Sequence, residues 1–140
     1  MIAELRAAKA RLETLWPGKV CIGDSSGLLP PYAMLWSPPG SRVVDEAHGG
    51  PDGEYAGRLG VTLVAATAEI ALEMAEAAIQ ELTPRRRAAR LDSDDRVAWI
   101  TYRDVRDVQI DRQVTLPDSD THPAYVPALF AVTSNPRSAD

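Results

Sequence analysis

A serine set in a glycine-bounded turn is one way to expose a nucleophilic hydroxyl, and residues 23–27 read Gly-Asp-Ser-Ser-Gly. Such chemistry needs a base within hydrogen-bond reach, a third group that orients the base, and donors aimed at the developing oxyanion. The chain offers few candidates: two histidines, His48 and His122, and one cysteine, Cys21.

The order of these residues argues against a hydrolase. The stretch is one letter from Gly-Asp-Ser-Gly-Gly, the surround of the nucleophile in chymotrypsin-like serine proteases. Those enzymes place histidine and aspartate before the serine, whereas His48 and His122 both follow Ser25. Ser26 replaces a glycine that helps to shape the oxyanion hole, and 140 residues are too few for two β-barrels. In GDSL-type esterases an aspartate stands three residues before the histidine, but that position is Ser119, with Asp118 and Asp120 on either side. The only asparagine, Asn135, lies beyond His122, and prolines follow Ser25 where a helix should open. Residues 24–31 therefore read as a turn, rich in Asp, Ser, Gly and Pro, and no enzymatic activity is expected.

Other chemistry is equally thin. One cysteine permits no internal disulfide, and no Cys-x-x-Cys or His-x-x-x-His spacing gathers metal ligands. No metal and no cofactor is expected, and Cys21, between Val20 and Ile22, reads as a buried strand residue. A net charge of −5 opposes general nucleic-acid binding. The cations of "TPRRRAAR", residues 83–90, complement a helix C-terminus and face the carboxylates of "LDSDD". Trp16, Trp36 and Trp99 each sit in or beside an apolar element and read as core rather than as the walls of a ligand pocket.

The elements around these residues follow from periodicity. Residues 2–16 form an amphipathic helix, with Ile2, Leu5, Ala8, Leu12 and Leu15 inward and Glu4 among the outward charges, stopped by Pro17-Gly18. Lys19–Gly23 and Tyr32–Trp36 are short strands, and Leu59–Ala66 is a third, rich in β-branched residues. The last two would pair as a long antiparallel hairpin through the polar excursion "GSRVVDEAHGGPDGEYAGR". Thr67 caps a helix running to Leu82, with Ile70, Met74, Ala77, Ala78 and Leu82 in one stripe, flanked by Leu72 and Ile79. Further strands are expected over 96–102, over the alternating 108–114 and in "PALFAVT". The fold class is α+β: a mostly antiparallel sheet with a long β-hairpin and two helices packed on one face. Residues 1–134 form a single domain and 135–140 a flexible C-terminal tail. No apolar run approaches the ~20 residues that span a bilayer, and the charged N-terminus lacks the features of a secretory signal.

Taken whole, the layout resembles the tail terminator (tail-completion) proteins of long-tailed, siphovirus-type bacteriophages, particularly those of actinobacteria. The resemblance covers nearly the entire chain. It rests on the helix ending in "LWPGKV", the strand and turn "PPYAMLWSPPG", the strand-to-helix unit "RLGVTLVAATAEIALEMAEAAIQEL", and the closing "VQIDRQVTLPDSDTHPAYVPALFAVTS". It implies a virion structural protein without catalytic residues. Such a protein forms a homo-hexameric ring on the tail tube, stops tube growth and presents the surface for head joining. The implied partners are further copies of the chain, the tail tube protein and a head–tail connector or neck protein. DNA would pass through the lumen without specific binding, and no membrane is involved. A head-completion or connector protein, or a small α+β ligand-binding domain lined by the Trp residues, are the alternatives. Contacts between subunits and with the tube are assigned to the hairpin and the loop after Asp118: Arg42, Val43, Val44, Asp45, Glu46, His48, Tyr55, Arg58, His122 and Tyr125.

Overall fold

The structure is a computed structural model that describes residues 1–25, 27–38, 54–117 and 121–137, together with the backbone of 43–44. Its elements in chain order are α1 (Ile2–Leu12), β1 (Val20–Ile22), β2 (Tyr32–Trp36), β3 (Val43–Val44), β4 (Tyr55–Ala65), α2 (Ala68–Leu82), a 3-10 turn (Pro84–Arg86), β5 (Ala89–Arg90), β6 (Arg96–Val105), β7 (Gln109–Ile110) and β8 (Ala124–Pro136). The fold is α+β, as the periodicities require.

The strands form one sheet in the order β1-β2-β4-β8-β6-β5, with β3 paired to β4 and β7 to β8. The expected hairpin is present: Tyr32 to Trp36 run antiparallel to Val64 to Gly60. One pairing departs from the antiparallel pattern, since Val20 to Ile22 lie parallel to Ala33 to Leu35. The two strands share a direction because residues 23–31 carry the chain back along the strand length instead of closing a tight turn.

β8 is the central strand, with β4 along one edge from Ala124 to Ser134 and β6 along the other from Ala128 to Pro136. A proline in a central strand needs a place where no ladder donor is required. Pro127 has one, because β6 hands over to β7 there: Val105 faces Ala128 and Gln109 faces Tyr125. The Pro127 carbonyl still accepts from Arg106 N at 2.8 Å. The strand continues beyond the expected boundary at 134, for Asn135 and Pro136 sit opposite Val97 and Arg96. Arg137 N then donates to Asp95 O at 2.8 Å.

Both helices pack on one face. Period-two alternation turns Leu59, Val61 and Leu63 of β4 and Val126, Ala128, Phe130 and Val132 of β8 toward them, all buried. Against these lie Leu5, Ala8 and Leu12 of α1 and Ala71, Met74, Ala75, Ala78, Ile79 and Leu82 of α2. Each fully buried large apolar side chain contributes roughly 1.5–3 kcal/mol relative to exposure.

Several local expectations are corrected. α1 stops at Leu12, and turn bonds such as Leu15 N to Leu12 O at 3.0 Å take over, leaving Leu15 exposed. Ile2 is exposed and Glu4 is fully buried, reversing their assigned faces. The cap of α2 is as expected, with Thr67 Oγ1 accepting from Ile70 N at 3.2 Å. Its buried stripe is rotated, however, so that Ala71 and Ala75 face inward while Ile70 and Leu72 are exposed. Ala77 is only half-buried. The alternating run 108–114 contributes only Gln109–Ile110 to the sheet and turns at 112–113, leaving Val114 exposed.

Candidate functional site

The helices cover one face of the sheet, and the opposite face is where chemistry-bearing side chains meet solvent. It is built from Tyr32, Met34 and Trp36 of β2, Arg58, Thr62 and Val64 of β4, and Tyr125, Pro127 and Leu129 of β8. Most of these are half-buried. Trp36 lies flat over its cross-strand partner Gly60 and donates from Nε1 to Thr62 Oγ1 at 2.9 Å. A Cβ on Gly60 would run into the indole ring, so only glycine fits beneath it.

Among the described residues, clefts open on this face at two places. The first, about 420 Å³, lies between the loop holding Leu28, Leu29 and Pro30 and the segment holding Val114 and Leu116, with Tyr32 and Tyr125 also in its lining. Leu29 is 57% exposed and Val114 45%, an apolar surface in water. Its second wall is fixed by hydrogen bonds. His122 Nδ1 donates to Val114 O at 2.6 Å, Leu116 N to Thr121 O at 2.9 Å and Asp111 N to Pro123 O at 2.9 Å. Its first wall, Leu28 to Pro30, follows the Gly-Asp-Ser stretch in the chain. Gly23 adopts φ +75° and donates to Leu35 O at 2.8 Å, while Leu28 N donates to Ser25 O at 2.9 Å. The Gly-Asp-Ser residues themselves are not part of the cleft lining.

The second cleft, about 620 Å³, is lined by Arg58, Arg103 and Arg106 with Asp104, Leu129 and Phe130. A register shift between Tyr102 and Asp104 re-aims the strand here. Arg106 pairs with Asp104 at 3.6 Å, both well exposed. Among the described residues Arg58 and Arg103 have no ion pair. Arg103 and Arg106 are absent from the expected contact set. The visible signal for them is the charge alternation of "YRDVRD" at the end of an otherwise apolar strand.

Behind the helix face a polar cluster ties α1 to the sheet. Glu4 Oε1 accepts from Ser134 Oγ at 2.6 Å and lies 3.5 Å from Arg96 Nε, and Oε2 lies 3.5 Å from the N-terminal ammonium. Arg96 Nε also donates to Ser134 Oγ at 2.7 Å, and its guanidinium stacks 4.7 Å over the Tyr55 ring. Burial would raise the Glu4 carboxyl, but hydrogen bonding to Ser134 and the nearby ammonium help to outweigh it and hold the group below its ordinary value. Burial and the adjacent Glu4 push the Tyr55 phenol up to about 12.

The expected contact residues therefore separate. Arg42, Asp45, Glu46 and His48 lie outside the described residues. Val43 and Val44 pair with Ala56 and Tyr55. Tyr55 is 2% exposed and belongs to the polar cluster, which takes it off the surface. Arg58 lines the arginine cleft and Tyr125 the apolar one, while His122 fixes a wall. Trp16 packs against the core, whereas Trp99 is 44% exposed, with Arg90 at 5.3 Å from its ring, contrary to its expected burial. Cys21 is only part-buried, its thiol donating to Ala33 O at 3.6 Å. Arg86 turns back to Glu76 at 3.0 Å, and of the "LDSDD" carboxylates Asp92 pairs with Arg90 at 2.6 Å. Among the described residues no three His, Cys, Asp or Glu gather as a metal site, and no helix is long and apolar enough to cross a membrane.

No family model matches the chain, and no curated protein matches it. Solved structures are similar to it. One, 14% identical, aligns over 100% of this chain and 98% of the other, with a TM-score of 0.53. A chain of the virion of a native gene transfer agent particle is 17% identical, over 94% of this chain and 89% of that one, with a TM-score of 0.49.

Proposed function

We propose that the chain is a virion structural protein that closes a ring on the end of a phage tail tube, ends its growth and offers the surface for head joining. The observation that carries this reading is the sheet face left open by both helices. One cleft on it is edged by Arg58 and Arg103, which suits contact with other protein surfaces. The order of elements along nearly the whole chain, shared in wording with tail terminators, supports the same assignment. In that setting the partners are further copies of the chain, the tube protein and a connector protein. A ring of subunits each carrying −5 would repel a DNA backbone and let it pass. The contacts fall to the open face and to the hairpin arm, with Arg58, Tyr125 and the wall held by His122 at the surface.

Light scattering across a concentration series, followed by negative-stain imaging with and without purified tail tubes, tests the assignment. Rings near six subunits in mass, free or seated on tube ends, are expected. Rings that ignore tubes and bind a head connector instead would move the assignment to a neck component. The apolar cleft favours a second reading, a ligand-binding domain. A monomer that ignores tubes and melts higher with small apolar ligands would establish that one and sink the ring.

A further inference from the structure

Several exposed charges of the chain are neutralised nearby: Lys9 by Glu13 at 3.6 Å, Arg86 by Glu76 at 3.0 Å, Arg90 by Asp92 at 2.6 Å. Two surface sites differ. In the arginine cleft three cations face one carboxylate, Asp104. At the turn before β6, Asp94 and Asp95 are exposed and without an ion pair among the described residues. We propose that neighbouring copies meet head to tail, the Asp94–Asp95 turn of one seated in the Arg58–Arg103–Arg106 cleft of the next. This rests on the ring reading and supplies its subunit contact.

The turn is built to present its carboxylates. Arg137 holds its main chain from three sides: Nη2 donates to Ser93 O at 2.8 Å, Nε to Asp94 O at 3.1 Å, and N to Asp95 O at 2.8 Å. Ser93 N donates to Arg96 O at 3.0 Å, and Asp92 accepts from Ala98 N at 3.0 Å. With the backbone fixed, the two side chains of Asp94 and Asp95 project into water, and little ordering remains to be done on binding. The turn cannot reach its own cleft. It lies at the Arg96 end of β6 and the arginines gather at the Val105 end, ten residues away and about 30 Å along an extended strand. Complementary patches at opposite ends of one strand make a heterologous contact, which repeats from copy to copy and closes when the rotation does. Leu129 in the cleft lining gives the contact an apolar base, where a carboxylate–guanidinium pair is screened less than in open water.

Charge reversal tests it. One variant carries Asp94→Arg and Asp95→Arg, the other Arg58→Asp and Arg103→Asp, each checked for an unchanged melting curve. Each alone should self-associate at least tenfold more weakly than the parent chain. An equal mixture should recover assembly, because each basic turn then meets an acidic cleft in strict alternation. If reversal disturbs folding, the neutral pairs Asp94→Asn with Asp95→Asn and Arg58→Gln with Arg103→Gln should each still weaken association. Assembly of either reversed variant at parental strength, or failure of two folded variants to assemble together, overturns the proposal and leaves the ring intact as a reading. Rings that form normally but no longer seat on tubes after cleft reversal also overturn it and assign the cleft to the tube. A parent chain that stays monomeric with and without tubes overturns both.

Discussion

Glu4 shows how far a single residue can depart from what its type suggests. Its place on α1, one turn before Ala8 and two before Leu12, is an inward position, yet its charge reads as outward. The deciding partner, Ser134, is 130 positions away, and no local pattern contains it. Removing the carboxylate takes the acceptor from the Ser134 hydroxyl and the nearby negative charge from Arg96 and the N-terminal ammonium. Glu4→Ala should cost about 3 kcal/mol in denaturant unfolding at pH 7, since breaking a buried pair from one side leaves the other charge uncompensated. The pH dependence has a definite sign. A carboxyl held below its ordinary 4.5 stabilises the fold fully above that pH and loses the contribution as pH falls through the folded value. The deficit of Glu4→Ala should therefore shrink in acid, and a deficit that stays constant from pH 7 to pH 3 would refute the ionic role. Tyr55 behaves oppositely. Its neutral phenol favours the fold below pH 10, and the contribution is lost as pH rises through about 12.

Among the elements, those set by short-range chemistry are readable from the chain and those set by neighbours are not. The Thr67 cap and the alternation of Leu59 to Ala65 carry their own signals. The run Val108 to Val114 carries the same alternation and still leaves the sheet after two residues, because β8 has only the stretch beside Tyr125 and Ala124 left to pair. The direction of β1 is likewise invisible, since it depends on where residues 23–31 lead the chain. The rotation of α2 about its axis comes from the surface it packs on: its small residues, Ala71, Ala75 and Ala78, face inward and let the helix approach the sheet closely. The crossing of Trp36 over Gly60 is the most sensitive point between two strands. Gly60→Ala should destabilise by about 1–3 kcal/mol through overpacking, and Trp36→Ala should relieve most of that cost. A double-mutant cycle in thermal unfolding reads the coupling, and additive effects would show that the indole moves aside freely.

At the scale of the molecule, the open sheet face is partly legible in the sequence. Arg58 and Tyr125, both singled out from the sequence as contact residues, stand on it, while Arg103 and Arg106 converge with Arg58 only through the shifted register of β6 against β8, which needs the tertiary pairing to see. The placement of β8 has a further consequence, for the order of synthesis. The strand that joins the two halves of the sheet is made last, so β4 and β6 leave the ribosome with their inner edges unpaired and wait for residues 124–136. Local contacts cannot close the sheet, and long-range pairing of this kind folds slowly. A fragment of residues 1–115 should lack a cooperative melt and a fixed tertiary signal in near-ultraviolet circular dichroism; a folded fragment would show that β4 with the helices suffices. Until the last strand arrives, the nascent chain carries two exposed strand edges that a neighbouring chain or a chaperone can occupy.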